Sequence, residues 1–173
     1  MRTAVSRRAE VDFDAVCEEN LDGVFGYLLY LTGNRTVAED LAAETFERAL
    51  RRVRRFDPRR GTARTWLLTL ARSTALDHFR SEERRRRREG TYALQEPDVA
   101  EGDVFGHAFS PALEAALRSL SAGEREVVAL RVLLDLDGET SARLLGISPT
   151  ACSTRLHRAL QKLEEKVRDD VRA

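Results

Sequence analysis

Cysteine is nearly absent from this chain: Cys17 and Cys152 are the only two in 173 residues, far apart and without metal-ligand spacing. That pattern argues against a zinc module and against a disulfide framework. The plain reading is two reduced core thiols, and a redox pair between them has no positive support. Long apolar runs are missing too, so no segment reaches the length that spans a bilayer. Residues 1–10 carry Arg2, Arg7 and Arg8 with no apolar stretch behind them, unlike a secretory signal. The expectation is a cytoplasmic chain without membrane insertion.

The parts of a catalytic site are equally sparse. His78, His107 and His157 lie in three different segments, with no nucleophile or paired carboxylate at useful spacing. Asp77 and His78 are neighbours on one helix and so point in different directions. Asp135, Asp137 and Gly138 do not complete a calcium loop, and no Gly-rich phosphate loop occurs. No enzyme activity, metal or cofactor is expected.

Aromatic residues make up only 6%, with ten Gly and four Pro, whereas hydrophobic residues reach 42%. Ala, Leu, Arg and Glu dominate, and these are good helix formers. The length permits one large domain or two small ones. The formal net charge is zero, from 29 basic and 29 acidic residues, which taken alone argues against a nucleic-acid partner. Its distribution argues the reverse. Residues 1–47 hold four arginines against ten acids, net −6, and residues 48–88 hold fifteen arginines against four acids, net +11. Residues 89–117 hold six acids and no base, and residues 118–173 come to +1. A concentrated basic block of this kind is an electrostatic footprint for phosphate.

Periodicity predicts helices nearly throughout. Phe13, Cys17, Leu21, Val24, Leu28 and Leu31 recur at helical spacing until Gly33-Asn34. Thr36 and Glu39 have the spacing of a capping box that opens a second helix at Val37, with Leu41, Thr45, Phe46, Ala49 and Leu50 inward. Phe56 to Gly61 reads as a loop because Asp57-Pro58 and Gly61 disfavour helix. A third helix is expected from about Thr62 to Arg84, with Trp66, Leu67, Leu70, Ala71 and Phe79 in the core. Trp66 reads as a core residue rather than a stacking platform. Ser121 and Glu124 have capping-box spacing too, and the helix they open is expected to run to about Leu134. The expected organisation is a tail over 1–11, a helical module over 12–88, a flexible acidic linker over 89–110 and a second module over 111–170. The acids of the linker are expected to keep the two modules apart and off DNA.

Residues 139–163 have the grammar of a helix-turn-helix: a short helix, a tight turn at Gly146 with Ile147 as plug, and a second helix from Pro149. On that helix Cys152, Leu156, Ala159, Leu160, Leu163 and Val167 share one side. Arg155, Arg158, Lys162 and Lys166 form a separate stripe, with Thr150, Ala151 and Thr154 beyond it. Small residues near base edges and arginines on phosphates suit a recognition helix. A solvated amphipathic surface helix is the alternative. The arginines of the basic block, including Arg51, Arg52, Arg54, Arg55, Arg59, Arg60, Arg64, Arg72 and Arg80, suit a bent or partly single-stranded backbone.

Taken together the motifs resemble those of the extracytoplasmic-function (group 4) sigma factors of bacterial RNA polymerase. Residues 38–46, Ala-Glu-Asp-Leu-Ala-Ala-Glu-Thr-Phe, resemble that family's core-polymerase-binding helix. Phe56, Trp66 to Arg72, Asp77 and Arg80 resemble its promoter-melting loop and −10 helix. Leu120 to Val127, Leu145-Gly146-Ile147 and Arg155 to Ala159 resemble its −35 domain. The resemblance implies an all-α fold of a sigma-2-like bundle and a sigma-4-like helix-turn-helix domain. It implies core RNA polymerase, promoter DNA and an anti-sigma factor as partners, and no enzyme activity. By position, Glu39, Asp40, Leu41, Glu44 and Phe46 would face the polymerase clamp. Arg59, Arg60, Arg72 and Arg80 would meet the −10 region, and Ala151, Thr154, Arg155 and Arg158 the −35 duplex. Ser73, Ser141, Cys152 and Ser153 depart from the usual residues. The rival reading is a dimeric helix-turn-helix regulator acting independently of core polymerase, which leaves the first module idle.

Overall fold

The computed structural model describes residues 12–88 and 111–172. The expected tail and linker lie outside the described residues. Among the described residues every regular element is helical, and no helix is long and apolar enough to cross a membrane.

The first module is three helices, α1 (Phe13–Thr32), α2 (Arg35–Arg52) and α3 (Ala63–Arg88), packed pairwise on one another. Asp12 caps α1 by accepting from the Ala15 N–H, and Gly33 ends it at φ 63°, a conformation that costs glycine little. The start of α2 differs from the expected capping box. Asn34 is the cap, its side chain accepting from the Val37 N–H at 3.1 Å, and the helix begins at Arg35. Asn is at least as good a cap as Thr, and Glu39 turns instead to Arg35 at 2.9 Å. A short 3-10 turn, Val53–Arg55, leads into the loop before α3. Thr62 then caps α3 by accepting from the Thr65 N–H at 3.2 Å.

The second module comprises α4 (Pro111–Arg118), α5 (Ala122–Val128), α6 (Gly138–Leu145) and α7 (Pro149–Arg172). Ser121 and Glu124 form both halves of the expected capping box. The helix they open does not run unbroken to Leu134. It widens into a π turn over Ala129–Leu133, where the Leu134 N–H reaches the Ala129 carbonyl at 3.0 Å. Asp135 follows at φ 50°, a left-handed conformation that Asp tolerates better than most residues.

The core contains Val24, Tyr27, Leu28, Leu67 and Leu68 in the first module and Val127, Leu130, Cys152 and Ala159 in the second. The α1 stripe is read only partly from its spacing: Leu21 is exposed, whereas Asn20, Tyr27 and Tyr30 are buried. Likewise Leu50 on α2 is exposed and Ala38 and Ala42 are buried. The α1 discrepancy has a tertiary cause. Besides α2 and α3, α1 packs against α5 and the π turn of the second module. The expectation that the modules stand apart is therefore corrected: they share a seam.

Candidate functional site

Three surfaces gather the side chains singled out by the sequence. The first is the outer face of α2. Glu39 and Asp40 are exposed there, and Glu44 is half-exposed with its carboxylate 2.5 Å from Arg48. Arg48 also reaches Asp77 of α3 at 3.2 Å, so the acidic face is braced on the bundle. Leu41 does not belong to this surface. It is 5% exposed and forms core, because its spacing from Ala38, Ala42 and Thr45 keeps it on the buried face. Phe46 is partly buried and packs against the same core. Glu47, which sequence reasoning passed over, is exposed on the acidic side and paired with Arg51 at 3.6 Å. Its spacing of seven from Asp40 was the available signal.

The second surface is the basic loop and α3. Arg59 and Arg60 are exposed. Their backbone N–H groups donate to the Asp57 side chain and carbonyl, each at 3.0 Å, a local turn that holds both residues outward. Trp66 is half-buried behind the loop and packs on Phe56 with ring centroids 5.1 Å apart. Arg80 is exposed, with only a long 3.9 Å approach to Asp77. Arg72 is different. Its Nε and Nη2 donate to the two carboxylate oxygens of Glu126 on α5, at 2.8 and 3.3 Å. Arg64 also crosses to the second module, donating to the Leu134 carbonyl at 2.6 Å. The sequence grouped Arg72 with Arg59, Arg60 and Arg80; the fold separates it from them.

The third surface is the helix-turn-helix. Asp137 caps α6 by accepting from the Thr140 N–H at 2.8 Å. Gly146 turns the chain at φ 68°, and the Ile147 N–H returns to the Ala142 carbonyl at 3.1 Å. Ser148 then caps α7, its hydroxyl accepting from the Ala151 N–H at 3.1 Å. Ala151, Thr154 and Arg158 are exposed. Arg155 is half-buried over Gly123 of α5, where an added Cβ would lie 3.1 Å from its Nη1. Lys162, part of the expected basic stripe, is tied to Glu124 at 2.6 Å. Burial pushes the Glu124 carboxyl up, but Lys162 and the Ser121 N–H and hydroxyl outweigh it and hold it down at about 2.

Ser141 is fully buried in α6, and its hydroxyl has no hydrogen-bond partner. A buried hydroxyl left unpaired costs about 1–3 kcal/mol. Ser141→Ala is therefore expected to raise stability by about 1 kcal/mol, read as a higher midpoint in thermal unfolding. A lower midpoint would show that the hydroxyl is satisfied.

Residues 16–85 match the family model for Sigma-70 region 2, and residues 110–163 match that for Sigma-70, region 4. RNA polymerase sigma factor CarQ of Myxococcus xanthus is 31% identical over 162 residues, covering 91% of this chain and 90% of CarQ. ECF RNA polymerase sigma factor BldN of Streptomyces coelicolor is 34% identical over 163 residues, covering 92% of this chain but only 62% of BldN. Among solved structures, sigma factor RpoE in complex with the anti-sigma factor NepR from Bartonella quintana is similar with a TM-score of 0.78. That match covers 91% of this chain and 97% of RpoE at 22% identity, a likeness of fold. ECF RNA polymerase sigma factor SigC of Mycobacterium tuberculosis is 30% identical over 152 residues, covering 87% of this chain and 80% of SigC. With both regions matched in order and CarQ and SigC covered over most of their length, the chain belongs to the extracytoplasmic-function (ECF) group of sigma-70 family RNA polymerase sigma factors.

Proposed function

We propose that the chain is an alternative sigma factor that binds core RNA polymerase through the outer face of α2 and directs it to promoters through two DNA-reading surfaces. The observation that carries this reading is the presence, in family order, of an acidic helix face, a basic loop with its helix, and an exposed helix-turn-helix face. Glu39, Asp40 and Glu44 make the polymerase contacts, and Leu41 and Phe46 support them from beneath. Arg59, Arg60 and Arg80 engage the −10 strand at once, and Arg72 joins them when Glu126 lets go. Ala151 and Thr154 read base edges in the −35 major groove, while Arg155 and Arg158 hold phosphate. The chain works by binding, without catalysis of its own, in the cytoplasm. The complex of the similarly folded RpoE with the anti-sigma factor NepR supports an anti-sigma factor as a further partner.

Run-off transcription with purified core polymerase on a pool of genomic promoters tests the reading. Promoter-specific transcripts are expected only when the chain is added, and Asp40→Ala with Glu44→Ala is expected to reduce them at least about tenfold, the equivalent of 1.4 kcal/mol. A chain that binds a palindromic operator as a dimer, with no dependence on core polymerase, is instead the rival regulator.

A further inference from the structure

The first turn of α5 meets the recognition helix α7 at two of its basic residues. Lys162 donates to the Glu124 carboxylate at 2.6 Å, and Arg155 lies across Gly123. The two are two helical turns apart and so share one face of α7. Their contacts differ in kind. Lys162 is held by an opposite charge. Arg155 is half-buried, yet among the described residues it makes no hydrogen bond or ion pair. Both oxygens of Glu124 are already engaged, one by Lys162 and the other by the Ser121 N–H and hydroxyl. The N-terminal end of a helix also carries partial positive charge. Shape, not attraction, seats the guanidinium there.

Nothing in the backbone asks for glycine at this position. Among the described residues the glycines with positive φ are Gly33, Gly61 and Gly146, and Gly123 is not one of them. Alanine is ordinarily the more stable residue in such a helix. What a side chain would lack is room. A Cβ built on Gly123 stands 3.1 Å from Nη1, 3.4 Å from Cζ and 3.7 Å from Cδ of Arg155, its three nearest neighbours. Glycine thus leaves a shelf for the flat guanidinium. Arg155 also stands at the edge of the face assigned to DNA, beside Ala151, Thr154 and Arg158, all exposed. An arginine loses rotamer freedom when it settles on a phosphate, which weakens binding by about three- to tenfold. A seated arginine has given up that freedom already on folding, with its donors still open to phosphate oxygens.

We propose that Gly123 is a positioning residue for promoter reading: its missing side chain seats the Arg155 guanidinium on α5 and presents it, already ordered, to a phosphate of the −35 duplex. The proposal rests on the assignment of α7 to that duplex.

The test uses RNA polymerase reconstituted with the full chain, parent or variant, and a promoter fragment recovered by run-off transcription. Gly123→Ala is expected to bind that fragment about three- to tenfold more weakly, while its thermal unfolding midpoint equals or exceeds the parent's. Arg155→Ala removes the seated group, so adding Gly123→Ala to it is expected to cause no further loss. Added to Arg158→Ala, Gly123→Ala is expected to cause its full loss, since the nearest atoms to Gly123 all belong to Arg155. Unchanged affinity in Gly123→Ala overturns the proposal, as does an equal loss with and without Arg155. A lower midpoint overturns it too, because the glycine then serves the fold rather than the contact. Failure of the −35 assignment shows separately: scrambling the upstream element then leaves the parent's binding unaltered.

Discussion

Replacing Arg59, Arg60 and Arg80 together by alanine is expected to leave core-polymerase binding nearly unchanged and to reduce promoter opening by about a hundredfold. All three side chains are exposed, and only Arg80 approaches an acid, Asp77, at 3.9 Å. Exposed cations of this kind contribute up to about 1 kcal/mol each, and three together come to roughly two factors of ten. Each phosphate contact on a single strand also contributes about 0.7 to the salt slope, so that slope should become shallower by about 2. Permanganate footprinting of promoter complexes measures the opening, and titration with labelled core polymerase measures the binding. Equal losses in both, or an unaltered salt slope, would remove these arginines from the −10 surface. Arg72 is left intact in this design. Its partner Glu126 makes any Arg72 variant report two events at once: a lost contact to DNA and a released seam.

Leu28→Ala carries the largest expected cost to the fold. Leu28 is 0% exposed in the core of the first module, on the helix that supports α2, α3 and the seam. Truncating a buried leucine costs about 2–5 kcal/mol, from lost transfer energy and the cavity left behind. For a chain of this size that lowers the unfolding midpoint by roughly 6–15 °C, at about 3 °C per kcal/mol. Thermal unfolding by circular dichroism checks it, and a change under 1 kcal/mol would mean that the neighbours collapse into the space. Leu21→Ala, seven residues earlier on α1 and half exposed, should change stability little.

The contrast between those two leucines marks where the sequence stopped being informative. Helical spacing places Leu21 and Leu28 on one stripe, and both pass for core. Periodicity reports one favoured face, whereas α1 is covered on two sides. Tyr27 and Tyr30, off the expected stripe, are buried as well. On α2, spacing placed Leu41 correctly inward, and carry-over by family position placed it outward. The burial of Leu41 favours spacing, since a motif records which residues recur and not which way each one points. Local signals with a complete partner set within four residues were read well. The Ser121–Glu124 box and the turn at Gly146 formed as expected. The cap of α2 was misplaced because Asn34 and Thr36 are both competent caps two residues apart.

The sequence by itself determined the all-helical class, the basic block between acidic segments, the helix-turn-helix and the family. Each of these depends on composition, on period, or on residues close together along the chain. Only the tertiary structure decided which arginines are free to meet DNA. Arg72 and Glu126 are 54 positions apart, and no local rule links them. Their pairing follows from the packing of α5 and the π turn against α1 and α3. Arg59, Arg60, Arg72 and Arg80 all enter the sequence as members of one basic block. In the fold, Arg59, Arg60 and Arg80 face solvent and Arg72 is held by a carboxylate. Charge is a property of a residue, but its availability depends on what the chain brings within 3 Å of it.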